Sequence, residues 1–83
     1  MSYELFSRVA LTEDIPEHSL RCGDVATIVD SHHGTRGQET GYTLEIFNAL
    51  GETITVITVS ENQIEPLARD EVLHVRRLDA VLV

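Results

Sequence analysis

An all-β fold is predicted by three observations on this chain of 83 residues. Thr53 to Val59 reads Thr-Ile-Thr-Val-Ile-Thr-Val, a β-branched run suited to a pleated, half-buried surface. Tyr42 to Phe47 alternates Tyr42, Leu44 and Ile46 with Thr43 and Glu45, the period of a strand with one buried face. Leu20 to Asp30 sets a Gly23-Asp24 corner directly before Val25-Ala26-Thr27-Ile28-Val29, so a third such run opens from a turn. A strand that opens this way is the second strand of many small SH3-like barrels. The expected architecture is a small SH3-like barrel of about five strands, with a short 3₁₀ turn and a C-terminal extension.

Taken in order, residues 1–3 are expected to fray or to dock only loosely. Leu5 to Leu11 reads as the first strand, with Val9 and Leu11 inward. Thr12 to Ser19 is a polar loop in which Pro16 fixes its own φ and pushes Ile15 out of the helical region. Ile15 and Leu20 are the apolar anchors that tuck this loop against the barrel. The second strand, Asp24 to Ser31, runs into His32–Gly41, where Gly34, Gly37 and Gly41 leave the chain without large apolar side chains. Tyr42–Phe47 and Thr53–Val59 form a hairpin across Asn48–Glu52, with Gly51 suited to a left-handed position.

Ser60-Glu61-Asn62-Gln63 has capping-box spacing, and Pro66 leaves room there for only one short 3₁₀ turn. Ile64 and Leu67 then close the barrel floor. Arg69 to Val83 fits neither a helical stripe nor clean alternation, although its valines tilt it toward extended structure. Residues 1–68 therefore read as one barrel domain, and residues 69–83 as an extension, strand or short helix, that packs on the barrel or on another chain. The expected core is Val9, Leu11, Val25, Ile28, Leu44, Ile46, Ile54, Val56, Ile64 and Leu67.

Composition narrows the function classes. Six basic residues, all arginine, against 14 carboxylates give a net charge of −8. Nucleic-acid affinity comes mainly from clustered Lys and Arg on phosphates, so direct nucleic-acid binding is disfavoured. An anionic membrane surface is disfavoured for the same reason, and no apolar run approaches the length of a membrane span. A basic protein partner is the complement of such a surface. The lone Cys22 excludes an internal disulfide and fits a reducing, cytoplasmic compartment.

Candidate chemistry is thin. His32 and His33 invite a metal, but adjacent strand histidines face opposite ways. A site would need His18, His74, Cys22 or a carboxylate brought in by the fold, and no CxxC, HxxxH or HExxH spacing is present. Cys22 with a histidine would be a nucleophilic dyad without a recognisable third member or oxyanion hole. No catalytic residue, metal or cofactor is therefore expected. The feature that stands out as a surface signal is acidity. Glu13, Asp14 and Glu17, together with Asp30 and Glu39, are expected to form one negative face at one end of the barrel that steers a basic partner. Val81 and Val83 in the apolar end Ala80-Val81-Leu82-Val83 are the second candidate contact.

Several stretches together resemble a known bacterial family. They are Val9-Ala10-Leu11-Thr12, Asp14-Ile15-Pro16-Glu17-His18, Leu20 to Val29, Tyr42 to Phe47 and Ile64-Glu65-Pro66-Leu67. The family is known as domain of unknown function four-nine-two-six, and the resemblance covers roughly residues 5–68. Ala26 stands where the family pattern has Gly. The resemblance implies an SH3-like barrel and transfers no catalytic residue. Its members tend to be small stand-alone proteins linked with the product of a neighbouring gene. The expected function is thus a non-enzymatic protein-interaction module, an acidic antitoxin- or immunity-like partner of a basic protein. The alternative is a homo-oligomeric structural or regulatory protein that assembles through its apolar tail.

Overall fold

Alternation along Gly41–Phe47 sets the architecture. In the computed structural model, which describes residues 3–34 and 38–78, Tyr42, Leu44 and Ile46 are buried while Thr43 and Glu45 are only half-buried. Strands β1 (Arg8–Leu11), β2 (Val25–His32), β3 (Gly41–Phe47), β4 (Thr53–Ser60) and β5 (Ile64–Pro66) form one antiparallel sheet. The strand order is β4-β3-β2-β1-β5. Among the described residues the only helical segments are two 3₁₀ turns, Pro16–His18 and Glu61–Gln63. The fold is all-β, as expected, with the second 3₁₀ turn leading into the last strand.

Sequence explains each corner. Gly23 adopts φ +92° and Gly51 φ +86°, conformations that cost a Cβ-bearing residue energy. The Asn48–Glu52 turn is held by the Asn48 side chain, whose Oδ1 accepts the Leu50 and Glu52 N–H groups at 3.0 and 2.9 Å. The Ser60–Gln63 capping box forms, with Gln63 Oε1 accepting the Ser60 N–H at 2.9 Å. Ile15 and Leu20 pair across the Pro16 turn and are both buried, so they anchor the β1–β2 loop.

Val9, Leu11, Ala26, Ile28, Leu44, Ile57 and Ile64 meet in the main cluster, together with Tyr42. Full burial of such a side chain contributes roughly 1.5–3 kcal/mol. Ala26 lies opposite Val9 in the β1–β2 ladder, 2% exposed, so a methyl fits where the family pattern has Gly.

Three expectations are corrected. Ile54 and Val56 face outward, 36% and 52% exposed, while Ile57 and Val59 take the inward places. The run Thr53–Val59 has adjacent apolar residues at Val56-Ile57, so either face could be the buried one, and the register decides. Leu44 pairs with Ile57 and Tyr42 with Val59, and a bulge between Ile46 and Phe47 absorbs Ile54. Val25 and Leu67 are half-buried rather than central. The first strand starts at Arg8 because Phe6 turns left-handed (φ 67°) and donates its N–H to Ile28 O.

Tyr3 does not fray. Its ring stands edge-on to Tyr42 at 5.5 Å, and its N–H donates to the Tyr42 hydroxyl at 3.1 Å. Partial burial, then the nearby Glu61 carboxylate, the Tyr42 ring and Glu65, raise the Tyr3 pKa. The extension is also corrected: residues 69–78 are neither strand nor helix but an irregular strap opening with a turn at Ala68–Glu71.

Candidate functional site

The strap carries valines, yet they do not hold it down. Val72 and Val75 are 91% and 80% exposed. Its firm anchor is Arg76. The guanidinium engages Asp24 side-on, Nε to Oδ1 at 2.9 Å and Nη2 to Oδ2, and Nη2 also donates to Ser19 O at 3.1 Å. Such bidentate pairing matches the planar fork of Arg to a carboxylate. Asp24 is preset for it by the corner that Gly23 makes, since Asp24 Oδ2 also accepts the Arg21 N–H at 2.8 Å. Partial burial alone would raise the Asp24 pKa. The hydrogen bonds from Arg76 and the Arg21 N–H, with the two guanidinium charges, outweigh it and hold the pKa below the usual carboxylate value.

Between strap and sheet lies a groove of about 650 Å³. Phe47, Ile54, Leu67, Val72, Val75 and Leu78 give it apolar walls, and Asp24, Glu65 and Glu71 stand along it. A second depression adjoins it, sharing Asn48, Ala49 and Val75 and adding Leu50, which is 85% exposed. Phe47, Leu50, Ile54, Val72 and Val75 thus place exposed apolar surface around one region.

The residues singled out in the sequence are dispersed. Glu13, Asp14 and Glu17 are exposed on the β1–β2 loop, where Asp14 Oδ1 accepts the Cys22 N–H at 2.9 Å. Asp30 lies near the far end of β2, its Oδ1 accepting the Ser31 N–H, and Glu39 follows in the β2–β3 connection. The two acidic groups sit at opposite ends of β2 rather than in one end face, because the β1–β2 loop enters that strand at the end opposite to Asp30. Val81 and Val83 lie outside the described residues.

His32 Nε2 is 2.8 Å from Thr43 Oγ1 on the outer face, and His18, His33, His74 and Cys22 are exposed. No three metal-capable side chains gather among the described residues. Nor is any described helix long and apolar enough to cross a membrane. Sequence reading missed the Arg76–Asp24 pair, although Arg76-Arg77 is the only adjacent basic pair in the chain.

The family model described as domain of unknown function (DUF4926) matches residues 5–66. The chain belongs to this family. The DUF4926 match takes in all five strands and ends where β5 ends, so the strap and its Arg76 lie beyond it while Asp24 lies within it. No curated protein and no solved structure matches the chain.

Proposed function

We propose that this chain is a non-enzymatic protein-interaction module that holds its partner in the groove between the strap and the DUF4926 sheet. The carrying observation is the exposed apolar surface of Phe47, Leu50, Ile54, Val72 and Val75 around one groove. Contiguous apolar surface of this kind marks interaction sites, and a stable interface has an apolar centre with a polar rim. The rim here includes Glu65 and Glu71, on a chain of net charge −8. The matching partner has an apolar segment flanked by basic residues, as expected for an acidic antitoxin- or immunity-like protein that masks a basic one.

The test is capture of a partner by the tagged full chain at low and high salt, repeated with Val72→Glu and Leu50→Glu. Both positions are exposed, so both variants should fold. One protein retained by wild type, reduced by salt and lost with both variants is the expected result. Capture indifferent to both substitutions would remove the groove from the function. A second reading is favoured by the exposure of Val72 and Val75: self-assembly through the tail. It requires a sedimenting oligomer that the double variant Val72→Glu/Val75→Glu abolishes.

A further inference from the structure

The two edges of the sheet are unequal. β5 is three residues long and contains Glu65 and Pro66, devices that blunt an edge against further pairing. β4 is eight residues long, Thr53–Ser60, without a charge or a proline. It is also the longest uncharged stretch of the chain, bounded by Glu52 and Glu61. β4 pairs with β3 and, among the described residues, with no other strand. Among the described residues, no backbone group of Thr53–Val59 bonds outside that ladder. Alternate N–H and C=O groups along an edge strand point outward, so β4 offers a row of open donors and acceptors.

We infer that this edge pairs with β4 of a second copy, antiparallel about a two-fold axis, joining two five-stranded sheets into one of ten strands. Self-matching selects the occupant: β4 can meet its own copy face to face in two registers without setting one carboxylate against another. On a chain of net −8, a second copy meets least repulsion along its longest uncharged strand. Geometry then selects the register. Ile54, Val56 and Thr58 face outward, while Ile57 and Val59 are buried. Faces match only when outward residues oppose outward residues. Near the strand centre this means Val56 opposite Val56 of the partner subunit, or Ile57 opposite Ile57 of the partner subunit.

In the first register Glu52 stands opposite Ser60 and Glu61 opposite Gly51; in the second they stand opposite Asn62 and Thr53. Neither places one carboxylate directly across from another. The intervening register, which would oppose Glu52 and Glu61, also turns core residues to solvent. Face matching and charge therefore favour the same pairings. Ile54 aside, this edge shares no residue with the strap groove, so the two surfaces can be tested apart.

The experiment is sedimentation of the full chain at high micromolar concentration, with hydrogen exchange of wild type measured at low and high concentration. Wild type should be a dimer, and the Thr53–Val59 amides should gain protection with concentration. Val56→Lys should weaken dimerisation tenfold or more while the melting curve of the dilute monomer stays unchanged, and Val56→Thr should retain the dimer. A monomeric wild type, or β4 amides indifferent to concentration, overturns the inference and leaves the edge to a foreign strand or to none. A dimer that survives Val56→Lys but is lost in Val72→Glu/Val75→Glu overturns it in favour of the tail.

Discussion

The sheet and the strap are held by opposite means. Residues of β2 and β3 bury Ile28, Tyr42 and Leu44 completely, so their place is fixed by apolar area removed from water. The strap leaves Val72 and Val75 in solvent and is anchored through a charged contact between Arg76 and Asp24. Burial is cooperative and little affected by moderate salt, whereas a partly exposed ion pair is modest in energy and is weakened by salt and acid. The comparison teaches that a chain of this size can carry a firmly held body and a releasable segment at once.

The largest effect is expected inside the sheet. Ile28→Asp buries an unpaired charge at a position with 0% exposure and should cost more than about 4 kcal/mol, enough to abolish cooperative unfolding seen by circular dichroism. A cooperative melt close to that of wild type would break the division between sheet and strap.

Arg76→Gln comes next and should leave the sheet nearly intact. A loss on the order of 1 kcal/mol or less is expected, since the pair is partly exposed. The strap, however, should become open to protease between Leu67 and Leu78. Acid should do the same to wild type. The folded pKa of Asp24 lies below its unfolded value, so its contribution is present above about pH 4 and is lost as pH falls through the lowered value. Proteolysis of the strap that is unchanged by Arg76→Gln and by low pH would show that the strap is held by something other than this pair.

The smallest effect sharpens the boundary. Val56→Asp on the outer face, tested at a concentration too dilute for β4 pairing, should cost less than about 1 kcal/mol: the side chain already meets solvent, and what is lost comes from setting a second carboxylate opposite Glu45. The sequence alone predicts unfolding for this substitution. A midpoint of chemical denaturation that falls with Val56→Asp as far as with a core truncation would return Val56 to the interior.

How far the chain could be read depended on how local each signal was. β3 was legible because polar and apolar residues alternate strictly from Tyr42 to Ile46. The Gly23-Asp24 corner and the Ser60–Gln63 box were legible because their partners lie within a few residues. The facing of β4 was not, because Val56 and Ile57 are both apolar and only the β3–β4 register chooses between them. The groove was hidden for a related reason: Arg76 and Asp24 meet across 52 positions of sequence, and no local pattern marks such a pair. The acidic residues were visible as composition, but their separation along β2 is a property of topology.

One ladder has a consequence for how the molecule comes into being. β1 is flanked by β2 on one side and by β5 on the other, with Val9 opposite Pro66. The β2–β3–β4 hairpins join neighbours in sequence and can close early, whereas the β1–β5 ladder joins the two ends of the matched region and must close across a long loop. During synthesis, β1 therefore emerges first and waits with one edge open until Ile64–Pro66 has left the ribosome. The last strand of the sheet is also its shortest, so the final act of folding rests on three residues and on the Ile64 side chain that they bring into the core.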